Sequence, residues 1–191
     1  MDEYNYNFIW DFSHIGYDIY EEGLAILTKH NINNYEGFYI SKSTRADFYK
    51  TRKIVKADIN INNKEISFFS CHLGWWNDED EPFKKQVNNL VKKVDKKSFI
   101  MGDFNNNAFV RNEGYDYILS KNLIDTYNLA IEKDSGVTVE GEIAGWEGKR
   151  EEKRLDIIFT TEDIKVSSSK VIFNNKNKNT ISDHYGVEIE I

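Results

Sequence analysis

The stretch Ser98-Phe-Ile-Met-Gly-Asp-Phe-Asn105 decides how the fold is read. It begins as an apolar run of the kind that makes a buried strand and ends on two polar residues spaced two apart. Side chains alternate along an extended chain, so Asp103 and Asn105 project to one side while Phe104 turns to the core. Three further segments share this design: Ser70-Cys-His-Leu73, Arg154-Leu-Asp156 and Ser182-Asp-His184. Each brings an acidic residue or a histidine to the end of an expected strand, and strand ends gather at one rim of a sheet.

Around these segments the pattern predicts strands over 23–28, 37–41, 52–61, 65–73, 98–104, 154–160, 166–173 and 185–191. Between the fourth and fifth, Phe83, Val87, Leu90, Val91 and Val94 stand at helical spacing, with Pro82 in the first turn. A shorter helix is expected over 113–120, and the run of Asn and Lys at 174–179 reads as a solvated loop. The acidic run 78–81 offers two readings, a metal cluster or a complement to the helix dipole, and the second is preferred. There is no internal repeat and Pro82 is the only proline, so 1–191 is read as one domain.

Composition narrows the function classes. No apolar run approaches the ~18 residues of a membrane span, and 14% aromatic residues argue against disorder. The formal net charge of −7 works against non-specific binding to DNA, RNA or an anionic membrane. A phosphate partner must then be met locally, and hard carboxylate oxygens suit Mg²⁺ or Mn²⁺ as the mediator. The single cysteine, Cys71, excludes an internal disulfide and favours a reducing compartment. Residues 1–12 carry neither a basic nor an apolar leader region, so a cytoplasmic location is expected.

Single residues carry less than their combination. Cys71 and His72 are strand neighbours that point to opposite faces, so they cannot form a Cys–His nucleophile, and Cys71 is expected to be buried and inert. Trp75 and Trp76 stand three and four residues after His72 and offer two readings, a surface on which a sugar ring stacks or packing against the next helix. Trp146, in the Gly-rich stretch 141–148, is a similar case on a loop.

The order GDFN, LD and a C-terminal SDH in a strand-rich chain resembles the endonuclease/exonuclease/phosphatase superfamily, the DNase I-like metal-dependent phosphoesterases. Within it, Glu21-Glu-Gly-Leu-Ala-Ile-Leu27, Lys50-Thr-Arg-Lys53, Cys71-His-Leu-Gly-Trp-Trp76 and Glu81-Pro-Phe83 are most similar to the bacterial maltose 6′-phosphate phosphatases. The resemblance implies an α/β, DNase I-like four-layer α/β/β/α sandwich of two mixed sheets. It also implies a Mg²⁺- or Mn²⁺-dependent hydrolase acting on a small phosphorylated sugar. Asp103 and Asn105 match residues that orient the attacking water and hold the phosphate, and both are carried over with Asp183 as metal-site residues. His184 matches the histidine at the reacting phosphate and Asp156 the carboxylate that pairs with it. His72 matches the second phosphate-facing histidine, and Glu22 the glutamate that pairs with that, a role that Glu21 could exchange with it. Arg52 falls where the family often places a phosphate-contacting arginine, the alternative being an ordinary surface arginine, and Trp75 and Trp76 are the candidate substrate-side residues beside it.

The chain departs from the family at its start. The Asn-bearing first strand and the Leu-Gln-Glu motif, whose Glu is a metal ligand, are not found, so the fold is expected to be N-terminally truncated and its metal affinity to fall. An open sheet edge and exposed apolar surface would then favour self-association. The remaining readings are a nuclease, for which the five scattered arginines make a poor groove, a phosphoinositide or sphingomyelin phosphodiesterase, and a catalytically silent binding domain.

Overall fold

Strand β4 (Lys53–Ile61) is buried on both faces, and its alternation organises the molecule. Ile54 faces one core, with Phe69, Cys71, Ile100, Ile157 and Phe159 from neighbouring strands. Val55, Ala57 and Ile59 face the other. A strand buried on both sides reads as a nearly continuous apolar run, as 54–59 does apart from Lys56 and Asp58. The computed structural model describes residues 5–94 and 97–191, so the first four residues of the stretch read for a leader lie outside it.

In chain order the remaining elements are β1 (Asn7–Gly16), β2 (Tyr20–Thr28), β3 (Ile32–Tyr39), β5 (Lys64–His72), α1 (Phe83–Val91), β6 (Ser98–Asp103), α2 (Gly114–Leu119), β7 (Ile124–Asp125), α3 (Thr126–Leu129), β8 (Ala130–Lys133), β9 (Asp156–Thr160), β10 (Val166–Ile172) and β11 (Gly186–Glu190). A six-stranded mixed sheet, β3–β4–β5–β6–β9–β7, forms the centre. β5 and β6 run parallel, and α1 makes the crossover between them that parallel strands require. Phe83, Val87 and Leu90 of α1 and Tyr115 and Ile118 of α2 cover one face. Full burial of each large apolar side chain here contributes about 1.5–3 kcal/mol.

The opposite face is covered in two pieces. The antiparallel pair β1–β2 sets Ile9 and Ile26 against Val55, Ala57 and Ile59. The three-stranded sheet β11–β10–β8 lies over β9, where Ile158, Val171 and Val187 line one small cavity. The mixed sheets and α/β character agree with expectation. What differs is that the facing layer is divided between a two-stranded and a three-stranded sheet.

Several element boundaries also differ. β1 was not expected, because a register shift between Phe12 and His14 breaks its alternation and hides the strand period. β8 and α3, of 4 residues each, are too short to show a period and depend on packing beside β10 and β9. α1 ends at Val91 rather than Val94, and Pro82 is its N-cap rather than part of its first turn.

Among the described residues the acidic run 78–81 belongs to no candidate metal group, and its carboxylates, placed just before the α1 N-cap rather than in the first turn, make specific contacts of their own. The Glu81 carboxylate accepts from the backbone N–H groups of Lys42 and Ser43 at 2.5 and 2.7 Å, and Asp78 pairs with Lys50 at 3.0 Å. It latches the α1 entrance to the loop before β4.

Candidate active site

Strand register assembles the site. His72 is the cross-strand partner of Asp103 in the β5–β6 pair, and Asp103 is the partner of Asp156 in the β6–β9 pair. Directly opposed residues share a face with Cβ atoms ~5 Å apart, so one histidine and two carboxylates form a row along the rim. Gly102 permits this close pairing. Its φ is +137°, and a Cβ there would fall 2.0 Å from the Cys71 carbonyl oxygen.

Asp156 anchors the fourth member. Its Oδ2 lies 2.8 Å from His184 Nδ1, the pairing expected from the resemblance. His72 Nε2 lies 3.6 Å from Asp103 Oδ2. The expected partnership of Glu22 with His72 is not formed. Glu22 instead meets His14 Nε2 at 3.2 Å, because His14 and Glu22 are opposed across the β1–β2 pair. His14 is therefore a site-lining residue that sequence reading missed. The signal available was a His and a Glu flanking a tight turn, visible only once β1 is recognised.

Asn105 adopts φ +48°, a left-handed conformation that Asn tolerates. Its backbone N–H donates to Asp103 Oδ1 at 2.7 Å, its Nδ2 donates to the Leu73 carbonyl at 2.8 Å, and its Oδ1 accepts from Trp146 Nε1 at 3.2 Å. Arg52 is buried at 4% exposure. One terminal nitrogen donates to the Tyr49 carbonyl at 2.9 Å, the guanidinium lies 5.6 Å from the Trp75 ring centroid, and its Nε has no partner. A buried guanidinium nitrogen with no acceptor is costly unless an anion meets it.

The two adjacent tryptophans have different neighbours. Trp76 packs edge-on against Phe83 of α1, with ring centroids 5.9 Å apart, while Trp75 lies against Arg52. Both, with Trp146, line one broad cleft that also takes in His14, Glu22, Arg52, His72, Asp103, Asn105, Asp156, Asp183 and His184. Cys71 is buried, and burial pushes its thiol well up, as befits an inert residue.

The electrostatics follow from this crowding. Burial, and then the Asp156 charge, push the Asp103 carboxyl up to about 7. Burial works against a charged His184 ring, yet the hydrogen bond and charge of Asp156, with Asp103 and Asp183 behind them, push it up to about 9. His72 is held well below its ordinary value by burial and by the positive charges of Arg52, His184 and His14. The site thus pairs a protonated His184 with a neutral His72 and a carboxyl that titrates near neutrality.

Ligand atoms of Asp103, Asp156 and His184 all lie within 4.8 Å of one another. Two crowded carboxylates, one of them pushed toward its neutral form, suit a hard divalent cation that would relieve their repulsion. Asp183 stands outside this group. It is exposed, with its Oδ1 accepting from the Ser182 hydroxyl at 3.1 Å, and it lines the same cleft. Asn105 is likewise outside it, with both ends of its amide engaged.

Comparison with known proteins agrees with this architecture. The chain is 39% identical to an endonuclease/exonuclease/phosphatase family protein from Leptotrichia buccalis, with a TM-score of 0.88, the match covering 97% of this chain and 70% of that one. A mannosyl-6-phosphatase from Bacteroides thetaiotaomicron is 20% identical, with a TM-score of 0.71 and coverage of 97% and 76%. A 3′ phosphatase from Neisseria bound to a product DNA hairpin is 14% identical, with a TM-score of 0.66 and coverage of 99% and 80%. The last two share the fold. No protein-family model and no curated protein matches the chain.

Proposed function

The chain belongs to the endonuclease/exonuclease/phosphatase family, and on that premise we propose that it hydrolyses a phosphomonoester of a sugar, of the maltose 6′-phosphate type, with Mg²⁺ or Mn²⁺. The observation that carries this reading is the cross-strand row of His72, Asp103 and Asp156, closed by His184, in a cleft that buried Arg52 also lines. That row offers proton-transfer groups beside an anion receptor.

In this reading Arg52 and neutral His72 donate to phosphoryl oxygens, and Asn105 lines the same end of the cleft. Asp103, opposite His72 at the rim, accepts the proton of the attacking water as the new P–O bond forms. His184, protonated and oriented by Asp156, gives its proton to the sugar oxygen as the P–O bond to the leaving group breaks, so an alcohol and inorganic phosphate result. Asp103 and Asp156, with Asp183 beside them, would hold the divalent ion, which supplies charge neutralisation at the phosphoryl group. Trp75 and Trp146, which both line the cleft, offer the apolar surface beside which the sugar ring seats.

The reading is tested by Mg²⁺-dependent phosphate release from maltose 6′-phosphate with plasmid nicking run in parallel. Release without nicking supports a sugar phosphatase. Nicking without release makes the chain a nuclease, and silence in both, at saturating metal, makes it a binding domain.

A further inference from the structure

Lys153 is a charged side chain at 0% exposure. Its ammonium uses all three of its donors on one stretch of backbone, the carbonyls of Gly141 at 2.9 Å, Lys149 at 2.7 Å and Glu151 at 2.8 Å. It also lies 5.8 Å from the Trp146 ring centroid. A buried ammonium is expensive unless every proton finds an acceptor, so the residue and the shape of segment 141–151 determine each other.

The segment touches the site at both ends. At its base, Val139 and Lys153 bridge antiparallel, and the Thr138 hydroxyl accepts from the Asp156 N–H at 3.2 Å. The Thr138 carbonyl accepts from the N–H of Tyr185, the residue after His184, at 2.8 Å. At its tip, Trp146 Nε1 donates to Asn105 Oδ1. Gly145 has φ +79° and lies so close to Trp75 that a Cβ would fall 2.5 Å from the indole. A strap with little regular structure thus crosses the cleft wall from Asp156 to Trp75, fixed by one internal cation.

We infer that Lys153 is a positioning residue that holds segment 141–151 as a preformed wall of the cleft, against which the leaving-group ring seats beside Trp146. The inference rests on the sugar-phosphatase reading for the identity of that ring. Asn105 keeps its Leu73 anchor without the strap, and Arg52 and His72 are held by other elements, so the phosphoryl end does not depend on Lys153. A wall made in advance lowers the ordering cost of binding the ring and acts on its affinity.

The test replaces Lys153→Met, which keeps length and removes the donors. Lys149 and Glu151 are exposed, so their freed carbonyls can turn to water and the strap opens while the core stays folded. The expected result is a rise of about tenfold or more in KM for maltose 6′-phosphate, with kcat changed less than about twofold. Exchange of the Trp146 indole N–H with solvent, assigned by Trp146→Phe, should quicken about tenfold or more. Should Lys153→Met not fold, Gly145→Ala on the exposed strap gives the same KM-weighted loss by driving the backbone off Trp75.

Unchanged indole exchange in a folded Lys153→Met protein, or a fall in kcat with KM unmoved, overturns the inference. If the unaltered chain releases no phosphate from the sugar, the functional reading fails, and indole exchange alone then decides whether Lys153 holds the strap.

Discussion

At the scale of single residues the account rests on His184 and Asp156. Replacing His184→Ala should lower turnover by about a hundredfold or more, the usual loss for an acid–base group, as read by steady-state phosphate release. In protein stripped of metal with EDTA, the His184 ring should titrate near 9 by NMR, and Asp156→Asn should bring that value down. The sign for stability follows. Because the folded-state value lies above the ordinary 6.5, the stabilisation from this pair is complete below that pH and is lost as pH rises through about 9. Denaturant midpoints across that window should fall in the parent and fall less in Asp156→Asn. His184, Asp156, Asp103 and His72 stood out in the sequence because each lies at or just before a strand terminus within a short recognisable motif: His72 and Asp103 close β5 and β6, Asp156 opens β9, and His184 stands two residues before β11. Glu22 was also visible, but its partner was not, since pairing is decided by which strand lies across from it and β1 hides its period at the Phe12/His14 shift.

At the scale of elements, Gly102 lets β6 lie close against β5. Gly102→Ala must strain a φ of +137° and drive a Cβ into the Cys71 carbonyl, so it should cost roughly 3 kcal/mol or more by equilibrium unfolding. Beneath the site, Arg154 pairs with fully buried Asp125 at 2.6 Å, and the Tyr115 hydroxyl donates to the same carboxylate at 2.7 Å. Asp125→Ala leaves a buried guanidinium without its counter-charge and should destabilise by roughly 3–5 kcal/mol. α1 and the central strands were readable because their apolar residues repeat at 3.6 and 2 over long stretches. β7, β8 and α3 were not, because elements of two to four residues exist only through the neighbours they pair with.

At the scale of the whole molecule, a six-stranded sheet covered by helices on one face and by two separate small sheets on the other gives a rigid rim of strand ends. The DNase I-like sandwich was legible from motif order, whereas the division of its facing layer was not, because layer continuity depends on which strands lie side by side rather than on any local pattern. Core residues of β4, β5 and β6 should show the slowest amide exchange, and the β1–β2 pair, whose Phe8, Trp10 and Leu27 are exposed, should open first. The rim brings His72, Asp103, Asp156 and His184 together in the cleft that Arg52 also lines. The most direct measurement is Mg²⁺-dependent phosphate release from maltose 6′-phosphate by the parent chain and by His184→Ala, side by side. The account predicts release by the parent that the substitution reduces about a hundredfold or more. Near-normal release by His184→Ala would contradict it.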